Sequence, residues 1–542
     1  MTQPRVHIRP RRRPELDIIP LGGCGSIGMN LTLYGFEGRW IAVDCGMALR
    51  QDLPETPLQI PDIGPSLEEG IRPEAVLVTH GHEDHLGALS WLWPHWGCPI
   101  FASPLAAEIL RCKFADKGLS TASIQTFQPG DSLELAGFGV TTIPVTHSIP
   151  ESCAILIQTR SHRVLHTGDW KLDKTPVLGP PIDESALQAL SPIDLVIGDS
   201  TNANVEGVSG SEADVSQNLA KTIAECQKRV VVSCFASNLA RIASIGRAAN
   251  ANNRRIALMG RAMERMVRIA RNLGYFDNFP EIVPLGDMGY LPPEEVLLIA
   301  TGSQGEPRAA LSKLAMGRHP EVELTAGDSV IFSSRTIPGN EPAVGRLQNA
   351  LRQLGIEVFE EHHHSELHVS GHPAQEELKQ FYKWVQPGTL LPVHGELLHQ
   401  QAHVELAGKL GITAPVIPVN GNWLKWDHQR LWIHSRLTLE TRLVQNHPKQ
   451  PASTTSVSLI IILPVAQSAD YIERQGRLIL DGENDHLVDE TSLCEWFDEQ
   501  LAQWRVKDHN RLYPLLAPRL QEWVTRHSGQ FIRIELNVVN TS

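Results

Sequence analysis

Three histidines and one aspartate lie close together at His-x-His-x-Asp-His spacing in the first fifth of the chain. They are His80, His82, Asp84 and His85. The apolar run at 75–78 predicts a buried strand that ends just before them. Imidazole and carboxylate without cysteine favour a catalytic site for zinc, manganese or iron over a structural one. A solvated histidine-rich turn is the weaker alternative, because only 23 of the 542 residues are histidine.

This spacing resembles the signature of the metallo-β-lactamase fold of hydrolases. Two further motifs follow in the order that the fold uses, and each comes after an apolar strand pattern: one contains His147 and the other contains Asp169. Upstream, Asp44 follows the run 41–43 and matches the first motif of the fold. The resemblance implies that Asp44 orients the metal ligands from behind them.

Composition predicts a folded cytoplasmic protein of several domains. The 542 residues are 42% hydrophobic and 20% charged, as in ordinary globular proteins. No apolar run reaches the roughly 18 residues of a membrane span, and the N-terminus lacks a signal-peptide core. The eight cysteines form no Cys-x-x-Cys pair, which favours free thiols in a reducing compartment. A net charge of −13 gives no overall nucleic-acid footprint, so a polyanion would need local basic patches and metal ions.

The elements that must position these residues follow an α/β pattern. Short apolar strands separated by Gly and Pro alternate with amphipathic helices such as 104–117, and a strand at 193–197 leads to Asp199. Beyond residue 204, repeated strand-then-helix units predict a second, parallel sheet. Histidine-containing motifs then return, with His372 before a helix and His394 after a strand. A domain inserted between the two halves of one core explains this order.

Five phrases in the insertion and after it resemble the β-CASP branch of the metallo-β-lactamase fold, and within it the ribonuclease J family. They are Ala236-Ser237-Asn238, 301–307, 337–341, 368–372 and 392–396. The likeness covers roughly residues 15 to 445. It implies an α/β protein: a metallo-β-lactamase αββα sandwich with an inserted parallel β-CASP domain and a small C-terminal α+β domain.

The predicted domains follow from this likeness and from composition. They are the first part of the core (1–204), the β-CASP insertion (205–360), the second part of the core (361–445), a linker (446–456) and the C-terminal domain (457–542). The C-terminal domain has predicted strands near 457–463, 476–480 and 531–539 and predicted helices at 491–506 and 513–527. It carries no chemical motif, and its place and size resemble the family domain that supports assembly.

The resemblance assigns ligands for two divalent metal ions, zinc or manganese. One ion is held by His80, His82 and His147, the other by Asp84, His85 and His394, and Asp169 bridges them. Two ions roughly 3.5–4 Å apart suit in-line displacement at phosphorus. The catalytic residues implied are His372, which assists the leaving oxygen, Asp199, which orients the nearby histidines, and Asp84.

The resemblance also implies RNA contacts. His368, Ser370 and Gly371 would cradle a phosphate, as turns rich in N–H groups do for anions. Ser237, Asn238 and Arg241 would lie near the RNA path. Family chains commonly carry His-Arg after the Ser-Asn-Ile run, whereas this chain has Leu239-Ala240-Arg241; this departure weakens any prediction of a preference for a 5′ phosphate.

Other polar groups have simpler interpretations. His166 is expected to be a core histidine, and the triplet 362–364 a solvated loop. The arginines of the helix 261–271 line an RNA channel or form a solvated face. The basic arm at 5–13 touches phosphates or is a solubilising terminus. The glycine-rich run 22–30 predicts a hairpin under the metal site rather than a dinucleotide turn, because a strand pattern follows it.

Together these features predict a metal-dependent ribonuclease for single-stranded RNA, a 5′-to-3′ exonuclease with possible internal cleavage, in RNA maturation and decay. Expected partners are single-stranded RNA, further copies of the chain in a homodimer or homotetramer, and other RNA-degradation proteins, with no membrane. The alternatives are a β-CASP nuclease for DNA and a catalytically silent RNA-degradation scaffold. A small-molecule hydrolase fits poorly, because such enzymes need no inserted domain.

Overall fold

The computed structural model describes residues 14–49, 58–277, 279–337, 339–360 and 364–444, and three C-terminal strands. The chain separates into two compact units, 1–445 and 446–542. The basic arm, His362, His363 and the two predicted C-terminal helices lie outside the described residues. The domain boundaries given above stay predictions. In the described part of the chain, no helix has the length and apolar character that crossing a bilayer requires.

The first part of the core is rich in strands. Its strands are β1 (Leu16–Gly22), β2 (Leu31–Phe36), β3 (Arg39–Val43), β4 (Ala48–Leu49), β5 (Leu58–Ile60), β6 (Val76–Leu77), β7 (Ile100–Ala102), β8 (Ile124–Thr126), β9 (Ser132–Leu135), β10 (Phe138–Pro144), β11 (Cys153–Gln158), β12 (Arg163–His166) and β13 (Ile193–Asp199). Its helices are α1 (Gly64–Glu68), α2 (Glu83–Leu86), α3 (Leu89–Leu92), α4 (Pro104–Asp116) and α5 (Glu184–Ala189).

The insertion alternates helix and strand as predicted. Its elements are α6 (Glu212–Glu225), β14 (Val230–Ser233), α7 (Leu239–Ala251), β15 (Arg255–Met259), α8 (Arg261–Asn272), β16 (Val296–Ala300), α9 (Ala310–Ala315), β17 (Ser329–Phe332), α10 (Glu341–Gln353) and β18 (Glu357–Phe359). The five strands form one parallel sheet in the order β15-β16-β14-β17-β18. Their side chains are buried on both faces of the sheet, as parallel strands require.

The second part of the core completes the sheets of the first. Its elements are α11 (Gln375–Val385), β19 (Pro387–Val393), α12 (Leu397–Lys409), β20 (Asn422–Trp426), β21 (Leu431–Arg436) and β22 (Arg442–Val444). One sheet has the order β21-β20-β1-β2-β3-β6-β7-β8 and the other β19-β13-β12-β11-β10-β9. A small third sheet joins β22, β5 and β4. Apolar side chains from both large sheets, such as Leu16, Ile155 and Leu391, fill the space between them.

The topology brings the candidate residues to one edge of the core. Strands β3, β6, β12, β13 and β19 end at or just before Asp44, His80, Asp169, Asp199 and His394, respectively. The β6 and β3 ends are neighbours in one sheet, and the β12, β13 and β19 ends are neighbours in the other. Because parallel strands place their carboxyl ends together, residues far apart in sequence meet there.

The predicted glycine-rich hairpin is confirmed. Strands β1 and β2 pair antiparallel, and the backbone N–H of His394 donates to Gly23 O at 2.6 Å. On the far side of the hairpin, the side-chain amide of Asn30 donates to the backbone oxygen of Asp84 at 3.1 Å. The hairpin therefore supports ligands from both parts of the core.

The C-terminal unit is described through three strands, β23 (Ser456–Pro464), β24 (Leu478–Asp481) and β25 (Arg533–Thr541). Strand β23 is central, parallel to β25 and antiparallel to β24. All three predicted C-terminal strands are therefore present.

Candidate metal centre

Three histidines converge on one oxygen of Asp169. His80 Nε2 lies 3.0 Å from His82 Nδ1, and His147 Nε2 lies 3.2 Å from the same nitrogen. Asp169 Oδ2 is 3.7 Å from His80 Nε2 and 3.8 Å from His147 Nε2. Ligands around a tetrahedral ion with bonds of 2.0–2.1 Å are about 3.3–3.4 Å apart. The spacing of these four groups therefore fits one ion.

A second group shares Asp169 with the first. His85 Nε2 lies 3.4 Å from Asp84 Oδ2 and 3.2 Å from Asp169 Oδ2. His394 Nε2 is 3.3 Å from Asp84 Oδ2, and its Nδ1 is 2.8 Å from Asp169 Oδ1. All seven predicted ligands thus fall into two groups whose ligand atoms lie within 4.8 Å of one another.

Partners behind the ligands fix the histidine tautomers. His147 Nδ1 donates to the carbonyl of Gly371 at 2.6 Å, and His85 Nδ1 donates to Asp44 Oδ2 at 2.7 Å. The Thr79 hydroxyl donates to Asp44, so it accepts from His80 Nδ1 at 3.0 Å. These contacts commit the outward nitrogen of each ring, so Nε2 is the nitrogen left to face the cluster, as metal binding requires.

Two buried atoms of the cluster make no hydrogen bond of normal geometry in the described part of the chain: Asp169 Oδ1, although His394 Nδ1 lies 2.8 Å away, and His394 Nε2, 3.3 Å from Asp84 Oδ2. Leaving such atoms unpaired in the interior is costly, so they call for a ligand of their own. Burial also holds the pKa of His80 and of His147 well below the ordinary value, which keeps both rings neutral. The residues present therefore fit divalent metal ions.

Asp44 is fully buried and lies behind His85, whose Nδ1 donates to it. Besides His85, its carboxylate accepts the backbone N–H of Thr79 at 2.8 Å. We expect Asp44→Asn to lower metal affinity about 10- to 100-fold, because the amide cannot accept from His85 and Thr79 together. Competition with a chromogenic chelator measures this affinity. Asp62→Asn, a buried carboxylate bonded instead to Arg442 and Gly64, is the control and should keep wild-type affinity. Equal affinities for the two variants would contradict the role of Asp44.

His372 and Asp199 form a pair at the rim of the cluster. His372 Nδ1 lies 2.8 Å from Asp199 Oδ2 but 3.9 Å from Asp169 Oδ2. The His372 side chain is 20% exposed, whereas that of Asp199 is fully buried. The short contact commits Nδ1 to Asp199 and leaves Nε2 for the solvent side. Both residues also belong to a third group of possible ligands, with Asp169 and His394.

Comparison with known families finds three matching domain models along the chain. "Beta-lactamase superfamily domain" matches residues 39–232, "Ribonuclease J, beta-CASP domain" matches 227–351, and "Zn-dependent metallo-hydrolase RNA specificity domain" matches 362–425. Ribonuclease J of Sinorhizobium meliloti is 43% identical over 433 residues, which cover 78% of this chain and 77% of that protein. The chain belongs to the ribonuclease J family.

Other members of the ribonuclease J family agree. Ribonuclease J of Thermus thermophilus is 37% identical over 71% of this chain and 69% of that protein. Ribonuclease J of Mycobacterium tuberculosis is 35% identical over 76% of this chain and 74% of that protein. A crystal structure of a protein of unknown function from Enterococcus faecalis matches with a TM-score of 0.54 at 16% identity, over 76% of this chain and all of that one. This likeness concerns the fold: a metallo-β-lactamase domain with an inserted β-CASP domain.

The residues that the ribonuclease J resemblance assigned to RNA differ in their exposure to solvent. His368, Ser370, Gly371 and Ser237 are partly exposed near the centre. Asn238 is buried, and its side chain caps α7 by accepting the backbone N–H of Arg241 at 2.8 Å. The side-chain oxygen of Asn238 is therefore committed to α7. It could bind a ligand only if this cap were broken.

Arg241 requires a correction. We expected this side chain near the RNA path, but it is fully buried. Its guanidinium pairs with Glu212 at 2.7 Å and donates to the carbonyl of Ser333 at 2.6 Å. A cation on a buried helix face needs such partners, and the sequence pattern of α7 did not reveal Glu212, which lies on α6. Arg241 thus joins the insertion to the segment before His368 and offers no charge to RNA in this arrangement.

Several residues of the site were missed from the sequence. Thr79 lies within the first motif, and its position before His80 was a signal that could have been used. Asn202 donates to Ser370 Oγ at 2.7 Å and to His372 O at 3.1 Å, so it holds the turn that leads to His372. Nothing in the local pattern distinguished Asn202 from a loop residue. His166, by contrast, is a buried core residue as expected, with Nδ1 2.8 Å from the Tyr34 hydroxyl.

Proposed function

We propose that this chain hydrolyses phosphodiester bonds of single-stranded RNA with two divalent metal ions, zinc or manganese, at the cluster. The observation that carries the proposal is the convergence of seven ligand side chains and the His372–Asp199 pair at one edge of the core. The relatives named ribonuclease J, and the matched RNA specificity domain, support RNA as the substrate.

The ligand assignment follows the two groups. His80, His82 and His147 would hold one ion, Asp84, His85 and His394 the other, and Asp169 would lie between them. Two bound divalent ions supply charge stabilisation for the phosphoryl oxygens and lower the pKa of water, so that a nucleophile is available near neutral pH. Asp84 has a second task as well, because its backbone oxygen anchors the glycine-rich hairpin through Asn30.

His372 would act on the leaving oxygen of the scissile bond. Asp199 accepts from Nδ1, so the ring presents Nε2 to the cleft in a fixed orientation. A histidine placed in this way can give a proton to the departing ribose oxygen. Asp199 itself is fixed because it also accepts the backbone N–H of Thr201 at 2.9 Å.

The turn 368–371 would bind the phosphate of a neighbouring nucleotide. A Cβ atom on Gly371 would lie 2.6 Å from His147 Cε1, so only glycine allows the backbone to approach the ligand this closely. The close approach brings the backbone of the turn beside the metal cluster, where a polyanion would be held. Ser370 Oγ accepts the backbone N–H of His372 at 3.1 Å, which keeps the turn compact.

The finer activity rests on the family resemblance. We infer 5′-to-3′ exonuclease action with internal cleavage, a role in RNA maturation and decay in the cytoplasm, assembly as a homodimer or homotetramer, and contact with other RNA-degradation proteins. DNA hydrolysis and a silent scaffold role are the competing functions. The complete ligand set favours catalysis over the scaffold.

The test compares wild-type protein with His80→Ala on matched single-stranded RNA and DNA carrying a 5′ monophosphate, with and without manganese. We expect mononucleotides from RNA, none from DNA, and no cleavage by the variant. Product lengths on a denaturing gel distinguish end-on from internal cleavage. Intact RNA in every condition, with metal-loaded wild-type protein, would refute the proposal. Cleavage of DNA alone would show that DNA, not RNA, is the substrate.

A further inference from the structure

Glu377 is a buried carboxylate that neither the ligand assignment nor the catalytic pair uses. It lies in the first turn of α11 and is 2% exposed. Its Oε2 accepts the backbone N–H of Ala374 at 2.8 Å, the usual helix-capping bond of a glutamate at this position. Capping alone would explain this one bond and no more.

Three further bonds join Glu377 to two other segments. Oε1 accepts the backbone N–H of Leu172 at 3.0 Å and the hydroxyl of Ser209 at 2.8 Å. Oε2 also accepts the backbone N–H of Ser209 at 2.9 Å. All four donors are neutral, and within the described residues no cation pairs with this carboxylate. A charge buried without a cation is tolerated only where its hydrogen bonds are complete.

Two of the three segments carry residues of the reaction centre, and the third leads into the insertion. Leu172 lies three residues after Asp169, and Ala374 lies two residues after His372. Ser209 belongs to the segment that leads from the core into the insertion, which also accepts the first two N–H groups of α11 at Val205 O and Gly207 O. One carboxylate thus fixes the bridging ligand loop and the His372 loop against each other and against the insertion.

We propose that Glu377 is a positioning residue for the reaction, which sets His372 relative to Asp169 and couples that geometry to the linker of the insertion. This inference rests on the proposed function. The atoms of His372 and Asp169 lie 3.9 Å apart, and no direct bond of usual length fixes their separation. Asp199 and Asn202 hold His372 itself, and Glu377, tied to both loops, adds a constraint on its separation from Asp169.

The test is Glu377→Gln, which keeps the volume but puts an amide donor where an oxygen accepts N–H groups. We expect kcat on RNA to fall about 10- to 100-fold with KM unchanged, because small displacements of a catalytic group cost this much. Glu377→Asp, which keeps the charge but shortens the reach, should recover part of the loss. Glu376→Gln, on the exposed side of the same turn and paired with Lys379, should match the wild type.

A second substrate separates positioning from general damage. Hydrolysis of bis(4-nitrophenyl) phosphate uses the same centre, but its leaving group needs no proton. If Glu377 acts through His372, Glu377→Gln loses less activity on this ester than on RNA. Equal losses on both substrates, or a wild-type kcat on RNA, would overturn the inference.

One further control and one distinguishing outcome complete the design. Asp328→Asn removes a buried carboxylate of the insertion that accepts from Thr325 and Arg229; it should lower thermal stability without changing kcat, so it shows what mere destabilisation does. Wild-type protein that cleaves the ester but not RNA would refute the proposed substrate and still leave the Glu377 variants testable on phosphate diesters whose leaving groups differ in pKa. A loss in Glu377→Gln that does not grow with the pKa of the leaving group would then overturn the positioning role.

Discussion

Asp169→Asn is expected to abolish activity, by at least about 10⁴-fold, because both ions would lose a shared ligand and metal catalysis supplies several kcal/mol of transition-state stabilisation. In the protein this carboxylate lies within 4 Å of His80, His85, His147 and His394. Burial raises the pKa of Asp169, but His394, His85 and His372 together hold it well below the ordinary value. The amide carries no charge to balance the ions.

The metal content of the purified protein measures the loss of this ligand directly. Inductively coupled plasma mass spectrometry should find fewer bound ions in Asp169→Asn than in the wild type. His166→Gln, three residues earlier on β12, is the matched control: His166 bonds to Tyr34 in the core and should not change the ion count. Full metal occupancy in Asp169→Asn, or metal loss in His166→Gln, would contradict the assignment.

The second large effect is expected for His372→Gln. Loss of a positioned proton donor costs about 10²- to 10⁴-fold in kcat. Metal content should stay at the wild-type value, because His372 lies 2.8 Å from Asp199 and is committed to it. This separates two functions that the geometry offers, since His372 also belongs to the third group of possible ligands.

Two readouts therefore decide the role of His372. A fall in kcat with unchanged metal content supports proton donation, whereas a fall in both supports a ligand role and would refute the proposed one. His434→Gln, an exposed histidine on β21, is the control for histidine loss in general and should show neither change. Substrates whose leaving groups have a lower pKa should restore activity to His372→Gln if the missing step is proton transfer.

The sequence predicted the elements in which the spacing of apolar residues and the Gly, Pro or capping residues at the ends indicate the same boundaries. Helices α4 and α8 differ by one residue from the ranges expected, and strand β13 begins at the residue expected. These segments combine an amphipathic pattern with clear ends. Helix α10 and strand β18 were not anticipated, because a Pro/Gly-rich loop precedes α10 and masked its start.

The candidate site could be predicted for a different reason. Its residues follow apolar strands, and the carboxyl ends of neighbouring strands must meet at one edge. What the sequence did not show was pairing across elements: Arg241 with Glu212, Glu377 with Leu172 and Ser209, Asn202 with Ser370. The local sequence around a charged or polar residue does not show whether it faces water or a buried partner on another helix. The burial of these groups is therefore visible only in the structure.

The position of His394 has a consequence for the lifetime of the folded chain. Its group of ligands is completed from beyond the insertion, more than 300 residues after Asp84. Ion binding at such a group favours the closed core by mass action, by about 4 kcal/mol when the free ion is at a thousand times its dissociation constant. Metal scarcity would thus shorten survival against proteases as well as slow turnover, and the abundance of the protein would follow the supply of its ions.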